Sequence, residues 1–212
     1  MTTRLAHLDR GCYEAPRAAA LSGVPERTLY YWAERGIVVP SVSPVREKLW
    51  SYGDLLTLRL VNWLRHPKGA ELDTTFARST MTDIRRALTA LGDDLWIGDQ
   101  PGQERPSVAV DAAGRIFVTD PLRTADGQQA LEVLDLLAPF GAGPDLLLPR
   151  AHLRIVPGKV AGEPHLAHTR TTSRSIAALA DRFDLDQIVA MYPDEDPVAL
   201  AEAIDLERQL AA

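Results

Sequence analysis

The stretch Pro16-Arg-Ala-Ala-Ala-Leu-Ser-Gly-Val-Pro-Glu-Arg-Thr-Leu-Tyr-Tyr-Trp-Ala-Glu-Arg-Gly36 decides the fold. Pro16 is pre-set for the first turn of a helix that continues through Leu21, and Gly23 suits its left-handed close. After Val24, Pro25 is placed to open a second helix over residues 26–35, which Gly36 stops. In that helix Leu29, Trp32 and Ala33 recur at i, i+3, i+4 spacing and share one face, while Arg27, Tyr30 and Glu34 point elsewhere. Two short helices joined by a tight turn, the second with a polar outer face, form a helix-turn-helix pattern.

Working outward, Ile37-Val-Val39 precedes a loop with Pro40 and Pro44 and then Arg46-Glu-Lys-Leu-Trp50. Apolar strand-like pieces on either side of a proline-bearing basic loop predict a β-hairpin wing. Residues 54–65 predict an amphipathic helix through Leu55, Leu58, Val61 and Leu64, ended by Pro67 and Gly69. Another is predicted over 80–91, with Thr80 and Asp83 at capping-box spacing and Ile84, Ala87, Leu88 and Leu91 as its apolar stripe. From Trp96 the period changes. Val108 and Val110, then Ile116 and Val118, alternate around Asp111-Ala-Ala-Gly114, a hairpin signal. A helix over 128–137 and a linker over 140–144 follow. The linker glycines neither follow a strand nor open a helix, so no phosphate-cradling loop is read there.

The last segment opens with Leu153 and Ile155 in strand alternation and then turns repeatedly between Pro157 and Arg170. Ser173 is expected to cap a helix carrying Ile176, Leu179, Ala180 and Phe183. A short helix holds Ile188 and Val189 and closes at Tyr192-Pro193. Asp196-Pro197 starts the final helix, with Leu200, Ile204 and Leu210 on its buried side. The fold class expected is mainly α with small β elements. A winged helix-turn-helix occupies residues 1–95, a small α+β segment 96–149, and a helical, helix-turn-helix-like domain 150–212.

Composition narrows the functions. The 212 residues are 46% hydrophobic, enough for a real core. No apolar run approaches the ~20 residues of a membrane helix, and the first residues lack the apolar segment of a signal peptide. Cys12, the single cysteine, excludes an internal disulfide and a cysteine-based zinc finger. A cytoplasmic protein with no membrane partner is expected. The net charge of −6 conceals an asymmetry: residues 1–70 carry ten Lys/Arg against six Asp/Glu, and residues 71–149 carry six against thirteen. Residues 150–212 carry seven against ten. A basic head on an acidic body points the head toward a polyanion and the body toward a basic partner.

The run from Ala19 to Gly36, with the basic loop and Lys48-Leu-Trp-Ser-Tyr-Gly-Asp-Leu55 behind it, resembles the MerR-type winged helix-turn-helix. That resemblance implies a second helix in the major groove and a wing along the phosphates. Arg17, Arg27, Thr28, Tyr30 and Tyr31 would then serve the helices, and Arg46, Lys48 and Trp50 the wing. Arg and Lys neutralise phosphates and release counterions, while Thr and Tyr hydroxyls fix the docking register. Tyr30 stands where the family usually has an arginine, leaving one neutral hydrogen bond in place of a cationic contact. The long dimerising coiled coil of MerR-type regulators has no counterpart after Leu91, where Gly92-Asp-Asp94 breaks the helix.

The last sixty or so residues resemble a small antitoxin-associated domain. The motifs are Gly162-Glu-Pro164, His168-Thr-Arg170, Ile176-Ala-Ala-Leu-Ala180, Ile188, Tyr192-Pro193 and a terminal helix with Glu207. His168 sits where that family more often has Gly. Head and tail together look like a VapB-type antitoxin, which implies a PIN-like endoribonuclease toxin and operator DNA as partners. A homodimer, or a larger toxin–antitoxin assembly, would present the heads in pairs. Thr169, Arg170, Ser173 and Arg174 form a polar, basic rim suited to a partner, to a phosphate or simply to water; the resemblance assigns them to the toxin. The other function classes are a stand-alone MerR-like regulator sensing a small molecule, and an interaction module whose head has lost DNA affinity.

Other conspicuous residues have plainer readings. Trp32 and Trp63 suit a core, whereas Trp50 suits a wing aromatic against the sugar-phosphate backbone. His152, His165 and His168 lack an acidic or cysteine ligand nearby in sequence, so no metal is expected. Asp194-Glu-Asp196 directly precedes a helix, where carboxylates favour the dipole. With no Gly-x-Ser-x-Gly elbow and only His7 near Cys12, no catalytic residue, enzymatic activity or cofactor is expected.

Overall fold

The computed structural model describes residues 5–68, 76–98, 104–118, 146 and 148–211. The helix expected over 128–137 and the linker over 140–144 lie outside the described residues. The elements in chain order begin with β1 (Tyr13–Glu14), α1 (Ala15–Ser22), α2 (Glu26–Glu34), β2 (Leu49–Trp50), α3 (Tyr52–Arg65) and α4 (Met81–Leu91). A 3₁₀ turn at Gly92–Leu95 leads to β3 (Trp96–Ile97), β4 (Arg105–Pro106), β5 (Val108–Val110) and β6 (Ile116–Val118). Then come β7 (Leu153–Arg154), β8 (His165–Leu166), α5 (Ser173–Ala180), α6 (Leu185–Met191) and α7 (Pro197–Ala211). The strands pair antiparallel as β1–β2, β3–β4, β5–β6 and β7–β8. The fold is mainly α with small β elements.

Local chemistry explains most boundaries. Gly23 adopts φ 70°, the left-handed region that an L side chain resists, and its N–H closes α1 on the Ala19 carbonyl. The Pro25 carbonyl accepts from Thr28 and Leu29 N–H and starts α2. Ser51 and Asp54 form a reciprocal capping box on α3, and Asp184 and Gln187 form another on α6. Thr80 accepts from the Asp83 N–H to cap α4. Val108 pairs with Val118 and Val110 with Ile116, the expected register about Asp111–Gly114.

The wing and the cap of α5 differ from expectation. The wing is not flanked by a strand at Ile37–Val39: the Ile37 N–H bonds back to the Trp32 carbonyl at the end of α2, and Ile37 and Val38 are buried in the core. Trp50 instead pairs with Tyr13 of β1, and the wing is a loop closed by the Ser43–Leu49 bridge. On α5 the cap is Thr172, whose hydroxyl accepts from the Ser175 N–H; Ser173 is fully buried inside the first turn. Its hydroxyl turns inward to the Pro164 carbonyl and the Glu207 carboxylate, which leaves it unable to cap.

Among the described residues two apolar cores form. The first gathers Leu21, Leu29, Trp32, Trp50, Leu55, Leu58, Leu64 and Ile84 and runs on through Trp96, Val108, Val110 and Ile155. The second joins Leu153, Leu166, Ile176, Ile188, Leu200, Ala203 and Leu206 in the tail. Leu210 packs against both.

Beside these apolar contacts, polar groups join head and tail. Arg17 of α1 donates from both terminal nitrogens to the two Glu207 oxygens at 2.8 Å and from Nε to Glu163 at 2.9 Å. Beside it the Tyr13 hydroxyl donates to the Gly162 carbonyl at 3.0 Å, and the Cys12 N–H to the Ala161 carbonyl at 2.8 Å. Gly162 holds φ 85°, and a Cβ there would overlap the Tyr13 hydroxyl, so no other residue fits this close approach. The expected DNA contact from Arg17 is therefore corrected. At 9% exposure its guanidinium is spent on two carboxylates of the tail.

Removing one partner of such a cluster leaves uncompensated charge in a poorly solvated place. Arg17→Met is expected to lower the unfolding free energy by about 3 kcal/mol in urea titrations. Burial pushes the Glu207 carboxyl up, but the hydrogen bonds from Arg17 and Ser173 and the Arg17 charge outweigh it and hold the group below its ordinary 4.5. A carboxyl depressed on folding stabilises above its unfolded pKa and loses that contribution as pH falls through the folded value. The stability gap between the natural protein and Glu207→Gln should therefore narrow as urea titrations are repeated below pH 4.5.

Candidate nucleic-acid interface

The second helix of the helix-turn-helix, α2, buries Leu29 and Trp32 and turns its other faces outward. Arg27 is exposed, Thr28 half-buried, and Tyr30 and Tyr31 are 39% and 51% exposed. So large an exposed fraction on two aromatic rings of one short helix is unusual for residues whose bulk favours burial.

The wing is fixed to this helix by a stack. Lys48 places its ammonium 5.8 Å from the Tyr30 ring centroid. From beneath, the Trp50 indole meets Tyr30 edge-on at 6.3 Å and 77°. Ser41, at the foot of the wing, gives both its N–H and its hydroxyl to Asp54 at 2.8 and 2.9 Å, and Asp54 also accepts from the Ser51 N–H. Burial lifts the Asp54 carboxyl above its ordinary value against these hydrogen bonds. The α3 cap thus doubles as the anchor of the wing.

Trp50 corrects the reading of a wing aromatic against DNA. Its place opposite Tyr13 in the β1–β2 ladder directs it inward, and it has no exposed surface. It acts on the interface by supporting Tyr30. Arg46 remains exposed at the wing tip and Lys48 half-buried above the helix.

Charge divides cleanly. Arg17 is committed to the tail. Lys68 lies 4.4 Å from the Trp63 ring centroid, and burial lowers its pKa to about 8. Among the described residues, no ion pair engages Arg27, Arg35, Arg46, Lys48 or Arg85. Arg35 and Arg85 were missed by the sequence reading. Arg35 was findable, since it follows Tyr31 by one helical turn and stacks 5.6 Å from that ring. Arg85 had no local signal: it comes from α4 and donates to the Arg35 carbonyl at 3.0 Å.

Residues 13–74 match the family model described as MerR HTH family regulatory protein. Residues 13–74 are thus MerR-like in sequence and in the order of their elements. No curated protein and no solved structure matches the chain. The MerR match covers β1 through the end of α3 and stops before α4, so both wing and recognition helix fall within it. A MerR-like head whose α2 cations make no ion pair among the described residues is suited to binding phosphates by charge and hydroxyl hydrogen bonds.

In the tail, Arg170 and Arg174 are exposed and Thr169 is half-buried, its hydroxyl accepting from the Thr171 N–H. Ser173 leaves the rim, for the reason given above. The ring of His152 meets Glu202 at 3.1 Å, His165 donates to the Glu163 carbonyl at 2.9 Å, and His168 is exposed. Burial lowers the pKa of His165, favouring the neutral ring. Among the described residues, no group of three or more His, Cys, Asp or Glu side chains is arranged to hold a metal ion, and no helix is long and apolar enough to cross a membrane.

Trp50→Ala should act through folding. A loss of about 3–5 kcal/mol in urea titrations is expected from the cavity under Tyr30. An unchanged unfolding curve would put Trp50 back on the surface.

Proposed function

We propose that this chain is a DNA-binding transcription regulator and, more specifically, the antitoxin of a type II toxin–antitoxin module. The observation that carries the DNA-binding reading is a MerR-like helix-turn-helix whose cations around α2 and the wing make no ion pair among the described residues. Residues 1–95 read operator DNA through Arg27, Thr28, Tyr30, Tyr31, Arg46 and Lys48. The contacts to phosphate orient the head, and the outward residues of α2 face the base edges.

The antitoxin reading rests on the tail. The Gly162-Glu-Pro164 and His168-Thr-Arg170 motifs resemble antitoxin-associated domains, and residues 71–212 carry the acidic excess that a basic nuclease would meet. The tail, with Thr169, Arg170 and Arg174 at its rim, holds a PIN-like endoribonuclease and blocks it by occupancy. No cofactor and no catalytic residue of this chain takes part. Paired heads in a homodimer, or in a larger complex with toxin, bind a two-fold operator more tightly than one head alone, so toxin binding and DNA binding are coupled.

Two arms test these readings separately. A labelled duplex from the region upstream of the coding sequence should bind the full chain with strong salt dependence, and Arg27→Ala should weaken binding without moving the thermal midpoint. Salt-independent or absent binding would contradict the DNA reading. Co-expression with the adjacent open reading frame should bring down a small basic protein whose ribonuclease activity is silent in the complex. If none co-purifies, and a metabolite raises the thermal midpoint instead, the chain is a stand-alone MerR-like sensor.

A further inference from the structure

We propose that Arg35 and Arg85 form a second phosphate-binding strip, carried by the C-terminal end of α2 and by α4. This inference rests on the DNA-binding reading of the head and extends its footprint beyond the wing and the first turns of α2.

The geometry begins on α2. Arg27, Tyr31 and Arg35 follow one another at four-residue steps and so lie along one stripe of the helix, about 100° round from the Tyr30 face that the wing covers. Tyr31 is 51% exposed, and the Arg35 guanidinium stacks 5.6 Å from its ring, which holds the cation outward along the helix surface. At the end of the stripe Arg85 arrives from α4, fifty positions later, and donates from Nη2 to the Arg35 carbonyl at 3.0 Å. That bond satisfies one of the orphan carbonyls of a helix C-terminus and orients the guanidinium. A guanidinium has several further donors, and no described residue uses them.

Capping α2 would explain the single hydrogen bond but not the charge arrangement. Two exposed arginines meet the same end of α2, and among the described residues neither makes an ion pair. The nearest acid in sequence, Glu34, pairs with neither. Cations gathered at one helix end without a counter-charge are stabilised when a polyanion lies across them. Arg86, the next residue on α4, shows the ordinary alternative: it folds back on Asp83 at 3.0 Å. Lys48 stands over the Tyr30 face of α2 and Arg35 with Arg85 continues the stripe about 100° round from it, so phosphates along both edges of a groove holding α2 would find a cation.

The test uses the full-length chain and a labelled mixed-sequence duplex, with binding followed by anisotropy from roughly 50 to 200 mM salt. Each lost phosphate contact should reduce the log–log salt slope by about 0.9, so Arg85→Gln and Arg35→Gln should each show that reduction. The loss should be equal on the mixed-sequence duplex and on the upstream fragment, because phosphates carry no sequence. Arg86→Gln should leave the slope unchanged. Arg85→Lys keeps the charge and should restore the slope even if the cap on α2 is weakened. A slope that stays at the natural value in Arg85→Gln, while Arg27→Gln lowers it, overturns the strip and leaves the DNA-binding reading intact. An Arg85→Lys slope equal to that of Arg85→Gln also overturns it. Absence of salt-dependent binding by the natural protein removes the DNA-binding reading itself, and the strip with it.

Discussion

The ion cluster of Arg17 with Glu207 and Glu163 is the constraint on which the arrangement of this chain depends. It joins the first helix of the reading head to the last helix of the tail across nearly the whole sequence. Its net contribution to stability over an apolar equivalent is small in general, because desolvation opposes the attraction. Its directional content is large. A bidentate guanidinium accepts one orientation of the facing carboxylate, and Ser173 holds that carboxylate from the other side. Tyr13 and Gly162 then close the seam with a contact that tolerates no side chain on the glycine. Head and tail are thereby registered in angle as well as held together.

The same economy shapes the reading surface. Trp50 is buried under Tyr30, Lys48 lies over it, and Asp54 binds the foot of the wing to the cap of α3. The wing is short and closed by one bridge, and these side-chain contacts add to that single pairing. Pre-organised contacts of this kind reduce the ordering cost of binding. Arg17 and Lys68, which serve the fold, are paired or partly buried, whereas the cations around α2 make no ion pair among the described residues. The division matters because a charge already neutralised internally releases no counterions from DNA.

Much of this architecture was legible in the sequence where the signal was local. Pro16, Gly23, Pro25 and Gly36 mark the helix-turn-helix by backbone preference alone, and the Asp111–Gly114 hairpin follows from alternation on each side of a turn. What the sequence did not disclose depends on distant pairing. Arg17 looks like any outward arginine until Glu163 and Glu207 close on it, and Ser173 looks like a cap until its hydroxyl is claimed by Glu207. Trp50 read as a wing aromatic because nothing nearby in sequence names Tyr13 as its ladder partner. Arg85 lies on a helix whose own pattern speaks only of packing. Charge counting found the basic head correctly, but it could not separate structural cations from free ones.

Hydrogen–deuterium exchange of the full chain, with and without duplex DNA, tests the central claim most directly. A head that reads DNA through α2 and its wing should show slowed exchange in peptides covering residues 26–36 and 41–50, while α5 to α7 exchange as they do without DNA. Protection confined to the tail helices, or no protection anywhere at saturating duplex, would contradict the account.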